Sequence, residues 1–247
     1  MTQRFFVPSR SIADDVVIFG PDATHQLRVV LRLHSGAQVI VLDGSGMEYD
    51  VTIERMGRDT ATGHIVSRHT AETEPRVKVT LYQSLLKGDR FEWVLQKGTE
   101  LGVSRFVPVF AERTVVRGAA WVEKRRDRLE RIIREAAEQS CRGRLPDLGS
   151  ALSFEEACVD SAAAHDLSIL PAVAAGGGGL ATALQARSQI ERVALLVGPE
   201  GGFAPEEIAL AEGHGLHVVT LGPRILRAET AGIVAPALVL YALGEMQ

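Results

Sequence analysis

A chain of 247 residues with a formal net charge of −4 and ordinary apolar and charged fractions fits a globular protein of one or two domains. That charge excludes a uniformly basic RNA-coating protein, so any polyanion site must come from local clusters of Lys and Arg. The two cysteines, Cys141 and Cys158, form no CxxC pair and read as reduced thiols of a cytoplasmic protein. The opening MTQRFFVPSR lacks the apolar stretch of a secretory signal. The longest apolar run, Ile233 to Leu243, falls short of the ~20 residues that span a bilayer, so no membrane partner is expected. His214 and His217 flank Gly215 with no cysteine or carboxylate cluster spaced to join them, so no metal is expected either.

Taken in chain order, residues 1–70 read as short strands with turn punctuation. Phe5 to Val7, Val16 to Phe19 and Ala37 to Leu42 are apolar runs, the last ending in the turn signal Asp43-Gly44-Ser45-Gly46. Met47 to Arg55 and Thr60 to Ser67 alternate apolar and polar, and His25 to Leu33 has helical spacing. The pattern predicts a small β-barrel with one helix. The polar run Thr70 to Pro75 predicts a linker at about residues 71–76.

From residue 77 strands alternate with helices. Strands are predicted at Val77 to Leu85, Arg105 to Phe110, Leu167 to Leu170, Ala194 to Val197 and His217 to Leu221. Helices are predicted at Asp89 to Leu101, at Trp121 to Arg142, from Pro205, and at the carboxyl end, where Pro236 should kink the helix. Ala174 to Gly179 reads as a flexible loop. This alternation predicts an α/β domain over residues 77–247 with a parallel sheet covered on both faces.

The Trp121 to Arg142 helix carries an apolar stripe at Leu129, Ile132, Ile133, Ala136 and Ala137. Its other face holds Lys124, Arg125, Arg126, Arg128, Arg131 and Arg134. From Arg113 to Arg144 ten basic residues face five acidic ones, and nine of the ten are arginine. Such a face is either solvated and paired between turns, as Glu130 with Arg134, or contacts RNA backbone through bidentate arginines. The arginine excess favours RNA.

The strongest signal is a pair of glycine-rich corners. Ala194-Leu-Leu-Val197 runs into Gly198-Pro199-Glu200-Gly201-Gly202-Phe203, and Val218 to Leu221 runs into Gly222-Pro223-Arg224-Ile225-Leu226-Arg227-Ala228-Glu229-Thr230. Glycines let backbone amides approach a ligand closely, and ligands of open α/β sheets bind beyond the carboxyl ends of strands. The spacing is not G-x-G-x-x-G, and Glu200 would face a pyrophosphate, so a nicotinamide oxidoreductase is disfavoured. Arg227 and Glu229 form either a structural ion pair at a helix start or part of a site, and Thr230 is placed to cap that helix. Two corners expected on adjacent strands, with charges concentrated at one, favour a site.

These corners, GPEGGF (Gly198 to Phe203) and LGPRILRAETA (Leu221 to Ala231), closely resemble those of the ribosomal small-subunit methyltransferase E family. KGDRFEWVLQKGTELGV (Lys87 to Val103), ERTVV (Glu112 to Val116), REAAEQSCR (Arg134 to Arg142) and HQLRVVLRLHSGAQVIVLDG (His25 to Gly44) agree, so the match covers nearly the whole chain. The resemblance implies a SPOUT fold with a carboxyl-terminal trefoil knot behind a PUA-like RNA-binding barrel. It implies a homodimer that uses S-adenosylmethionine to methylate N3 of a uridine in 16S ribosomal RNA of the small subunit. Cofactor contacts would come from Leu170, Pro171, Gly198, Glu200, Gly201, Gly202, Leu221, Gly222, Ile225 and Leu226.

The chain departs from the family pattern at Ala204, where a helix-capping serine is common, and at Ala228, where threonine is common. The first costs about 1 kcal/mol of helix stability. Methylating uridine N3 needs proton removal and a donor for the charge developing on O2 and O4. Arg227 is the candidate donor, and Glu229 the candidate base or orienter. For RNA contact the candidates are Arg4, Arg10, Arg28 and Arg32 in the first domain, and Arg142. A solvated helix face is the other reading of Arg28 and Arg32. A SPOUT enzyme acting on a transfer RNA base or a ribose, and a catalytically silent RNA-binding assembly factor, are the alternative functions. Intact glycines in both corners argue against the silent factor.

Overall fold

The computed structural model describes residues 2–116, 120–173, 178–185 and 189–246. Arg117 of the basic cluster and residues 174–177 of the expected flexible loop lie outside the described residues. Two compact units are present, Met1–Glu74 with Ala137–Leu145, and Pro75–Ala136 with Pro146–Gln247.

The first unit holds β1 (Arg4–Phe6), β2 (Ile12–Ala13), β3 (Val16–Phe19), α1 (Pro21–His25), β4 (Gln38–Leu42), β5 (Met47–Met56) and β6 (Ala61–Thr70). They form one sheet in the order β1-β4-β5-β6-β3-β2, antiparallel except for the β1–β4 pair. The turn between β4 and β5 forms as expected, with Gly44 and Gly46 at φ 81° and 98° and the Asp43 carboxylate accepting the Ser45 N–H at 2.9 Å. The alternating residues Val39, Val41, Val51 and Ile53 enter one core with Phe5, Phe19 and Leu27. The helix expected over His25 to Leu33 is displaced toward the amino terminus and changes character part-way. α1 starts at Pro21 and passes into a single π-helical turn, Gln26–Val30, closed by the Leu31 N–H on the Gln26 carbonyl at 2.9 Å.

The remaining elements are β7 (Lys78–Ser84), α2 (Arg90–Leu101), β8 (Arg105–Phe110), α3 (Ala120–Glu123), α4 (Arg126–Gln139), β9 (Asp147–Leu148), β10 (Leu152–Ser153) and α5 (Phe154–Ala164). They continue with β11 (Leu167–Pro171), α6 (Leu180–Gln185), β12 (Arg192–Val197), α7 (Pro205–Gly213), β13 (His217–Val219) and α8 (Ala228–Ala242). The sheet is wholly parallel, in the order β10-β8-β7-β12-β11-β13, with β9 also paired to β8. Along β12 the side chains alternate between two cores. Val193, Leu195 and Val197 join α2, α4, α6 and α8, while Ala194 and Leu196 join Phe154, Ala157 and Cys158 of α5 and Ala211 of α7. A strand buried on both faces is a continuous apolar run, which is why RVALLV reads as it does.

Three expectations are corrected. The single long helix is broken: α3 ends at Glu123, Lys124 and Arg125 form a turn, and α4 stops at Gln139. The stop is a left-handed Cys141 (φ 60°) with the Arg142 N–H returning to the Ala137 carbonyl at 2.9 Å. The apolar stripe survives, with Leu129, Ile133, Ala136 and Ala137 buried. Thr230 caps nothing, because α8 begins at Ala228 with Arg227 at the cap position, and the helix runs on through Pro236. The two glycine corners leave strands that are not adjacent, since β11 lies between β12 and β13. β2, β9, β10, α5 and α6 were not expected from the sequence.

Candidate active site

Three parallel strands deliver the site. The loops leaving β11, β12 and β13 surround one cavity of about 720 Å³, in the size range of small-ligand pockets. It sits beyond the carboxyl ends of those strands, where open α/β sheets bind ligands. The β11 loop supplies Pro171, Ala172 and Val173, the β12 corner Gly198 to Phe203, and the β13 corner Thr220 to Gly222 and Arg224 to Glu229.

The first corner turns tightly, with the Gly202 N–H on the Pro199 carbonyl at 2.9 Å and Gly202 at φ 66°. A side chain at Gly198 would sit 3.3 Å from the Phe203 ring, which packs in turn on Phe154 with centroids 4.9 Å apart. In the second corner Gly222 adopts φ 110°, and its N–H donates to Thr220 Oγ1 at 3.2 Å. Both positions need glycine for conformation as well as for access.

Charge is arranged around these turns. Glu200 accepts the backbone N–H of Lys87 at 3.0 Å and lies 3.2 Å from Arg90 Nη1. Burial alone would raise its pKa, but the N–H of Lys87, its own N–H and the charges of Arg90 and Lys87 together hold it below the ordinary carboxylate range. Arg90 Nε lies 3.7 Å from Glu229 Oε1. Glu229 is buried, with 10% of its side chain exposed, and its Oε2 has no hydrogen-bond partner among the described residues. Arg113 Nη1 donates to the Gly201 carbonyl at 3.1 Å. Arg224 and Arg227 are exposed on the wall, so four arginines and two glutamates line the cavity and its surroundings favour an anion.

Pro171, Gly198, Glu200, Gly201, Gly202, Leu221, Gly222, Ile225 and Leu226 all line this cavity, as do Arg227 and Glu229. Leu170 does not; it is fully buried in the sheet core beneath. Arg90 and Arg113 escaped the sequence reading, although both lie in stretches that carried the resemblance. Of the arginines expected to meet RNA, Arg10, Arg28 and Arg32 are exposed. Arg4 and Arg142 are not. The Arg4 side chain, 10% exposed, pairs with Glu48, and Arg142, 3% exposed, holds Glu74 at 2.7 and 3.2 Å. Their guanidiniums are committed to internal carboxylates, which removes them as phosphate contacts. The basic face of α3 and α4 is also substantially paired. Arg126 binds Glu123 and Glu130, Arg128 binds Glu92 at 2.8 Å, and Arg125 lies over the Trp121 ring at 4.6 Å. Glu130 thus pairs with Arg126 four residues before it.

A model of the RNA methyltransferase domain matches residues 73–240. Ribosomal RNA small subunit methyltransferase E of Synechocystis is 34% identical, the alignment covering 96% of this chain and 77% of that protein. The protein of the same name from Bacillus subtilis is 31% identical, covering 97% and 96%. The chain belongs to the ribosomal RNA small subunit methyltransferase E family.

Two solved structures extend the likeness to the whole fold. A Legionella pneumophila protein with bound S-adenosylmethionine is 32% identical, covers 98% of each chain and gives a TM-score of 0.88. The small subunit methyltransferase E of Neisseria gonorrhoeae, bound to S-adenosyl methionine, is 29% identical, with 98% coverage of each and a TM-score of 0.87. The departures from the family pattern now have locations. Ala204 is the cap residue of α7, and the Glu207 carboxylate takes its N–H at 2.8 Å. Ala228 is buried at the start of α8 and lines the cavity.

Proposed function

We propose that this chain is an S-adenosylmethionine-dependent methyltransferase acting on N3 of a uridine in 16S ribosomal RNA of the small subunit. The observation that carries the proposal is the cavity beyond β11, β12 and β13, walled by the two corners that match the family. Its volume, its apolar walls at Pro171, Phe203, Ile208 and Leu226, and its glycine-lined turns fit a nucleoside-bearing cofactor. Pro171, Gly198, Glu200, Gly201, Gly202, Leu221, Gly222, Ile225 and Leu226 would hold it, largely through backbone groups at the glycines. When bound, S-adenosylmethionine supplies an electrophilic methyl group on a sulfonium.

The chain's own residues then have defined tasks. Arg227 donates hydrogen bonds to the uracil oxygens as charge develops on them. Glu229 takes the N3 proton through Oε2, the oxygen without a partner among the described residues. Apolar walls exclude bulk water and would restrict the orientations open to a bound base. The positive surroundings from Arg224 and Arg227 attract the RNA backbone.

The wider reading follows the family. The first unit is a PUA-like RNA-binding barrel whose exposed Arg10, Arg28 and Arg32 contact phosphate. The second is a SPOUT domain with its carboxyl-terminal part threaded as a trefoil knot. The protein works as a homodimer, which the outward face of α8 supports: Leu238 and Tyr241 are 40% and 63% exposed. Cytoplasmic residence fits these roles, and among the described residues no helix is long and apolar enough to cross a membrane.

Calorimetric titration with S-adenosylmethionine tests the proposal alongside Arg227→Ala. Binding in both proteins with methylation lost only in the variant is expected. Loss of binding in Arg227→Ala would make Arg227 structural, and no binding by the unaltered protein would favour a silent RNA-binding factor.

A further inference from the structure

We infer that Arg90 is the positioning residue that joins the two glycine corners into one ligand-binding unit, acting through Glu200 on the first and Glu229 on the second. The inference rests on the methyltransferase reading of the same cavity. Arg90 opens α2, a helix fixed in the core by Phe91, Val94 and Leu95. From that anchored point its guanidinium reaches both corners, with Nη1 3.2 Å from Glu200 Oε1 and Nε 3.7 Å from Glu229 Oε1.

The two contacts differ in kind. Glu200 also receives the Lys87 N–H, so the first corner is tied twice to the segment that enters α2. Glu229 faces Arg90 at Oε1, and Oε2 is buried with no partner among the described residues. A buried carboxylate oxygen with no donor is costly, and such an atom on a residue lining a ligand cavity is what a site kept for an incoming N–H contains. Arg90 therefore places its charge beside Oε1 and leaves the second oxygen for the ligand.

Arginine suits the task. Its planar fork of five donors serves two carboxylates at once, where a lysine ammonium is a single point on a flexible stem. The competing view is that Arg90, 43% exposed, makes two surface ion pairs of no consequence. The difference lies in coupling. A surface pair leaves cofactor affinity untouched, while a shared brace makes the corners depend on each other.

The test is a double-mutant cycle on cofactor binding, which needs no turnover. S-adenosylhomocysteine is titrated calorimetrically into the unaltered protein, Arg90→Gln, Arg90→Lys, Glu200→Gln and the Arg90→Gln/Glu200→Gln pair. Arg90→Gln is expected to raise Kd at least about tenfold while its thermal midpoint moves by less than about 3 °C. Arg90→Lys is expected to recover part of that loss. The double variant should bind within about twofold of Arg90→Gln alone, because the brace is already gone. Unchanged affinity in Arg90→Gln, or losses that simply add, would overturn the inference. Should Arg90→Gln not fold, Arg90→Lys decides, and its binding and turning over like the unaltered protein would overturn it. Failure of the unaltered protein to bind would remove the methyltransferase reading itself, an outcome distinct from normal binding that ignores Arg90.

Discussion

The carboxylate of Glu207 accepts the backbone N–H of Ala204 at 2.8 Å through Oε2, and with Oε1 it accepts the N–H of Glu112 at the same distance. One buried side chain thus supplies half of a capping box at the start of α7 and pins the segment after β8. Glu207→Ala strips both N–H groups of their partner and should cost about 2–4 kcal/mol, lowering the denaturant midpoint with no change of slope. Ala204→Ser adds the missing half of the cap and should gain up to about 1 kcal/mol. Equal stability of Glu207→Ala and the unaltered protein would contradict this assignment.

Gly202 and Gly222 hold φ values of 66° and 110° at the two corners, and among the described residues no heavy atom beyond the chain neighbours lies within 4 Å of where a Cβ would sit on either. Substitution there strains the backbone without causing a clash. Gly202→Ala and Gly222→Ala should each cost about 1–2 kcal/mol and weaken S-adenosylmethionine binding by more than that loss alone explains. Calorimetry beside thermal melting separates the two effects. A destabilised variant with full affinity would show that the corner conformation is not used for binding.

Gly232 presents the opposite case. A Cβ there would stand 2.3 Å from Gln83 Oε1 and 3.2 Å from Val94 Cγ1, so α8 sits directly on β7 and α2. Gly232→Ala forces either the Gln83 amide to turn away or α8 to shift outward, and with α8 Glu229, one turn earlier. Destabilisation of about 2 kcal/mol or more, with methylation reduced further, is expected. An alanine variant as stable and active as the unaltered protein would show that this helix has room to move.

The corners were legible because local sequence determines them. A buried strand is an apolar run, and a strand that ends in Gly-Pro must turn. What stayed hidden depends on residues distant in sequence. Arg90 and Glu200 are 110 residues apart, so nothing near Arg90 marks it as part of the site. Arg4 and Arg142 look like surface charges until Glu48 and Glu74 arrive beside them, 44 and 68 residues away. The place of β11 between β12 and β13 is a crossover, which alternation of strands and helices does not encode. α5 was missed for another reason. Its capping box is written in Ser153 and Glu156, but FEEACVDSAAA carries little apolar period to follow it.

His165 should give the protein an acid sensitivity above the carboxylate range. Its Nε2 lies 2.9 Å from Thr80 Oγ1, its Nδ1 3.1 Å from the Ser161 carbonyl, and its ring meets Tyr82 edge-on. Burial pushes its pKa down; the Ser161 carbonyl and Asp160 oppose this, while Arg192 and Arg105 add to it. The folded pKa lies below the unfolded one, so the stabilisation is complete above about pH 6.5 and is lost as pH falls through the folded value. Glu200 is also depressed and acts lower, losing its contribution as pH falls below about 4.5. The thermal midpoint should fall between about pH 7.5 and 5.5 in the unaltered protein and fall less in His165→Gln. Equal slopes in the two proteins would remove His165 from the explanation.

The most direct measurement is methyl transfer itself. The purified protein is incubated with labelled S-adenosylmethionine and small ribosomal subunits from cells lacking the enzyme, and the labelled nucleoside is mapped. Label in 3-methyluridine of the 16S RNA is the expected result. Label in another nucleoside, or in transfer RNA alone, would contradict the uridine target, and cofactor binding without label in any RNA would contradict the transfer reaction assigned to the two corners.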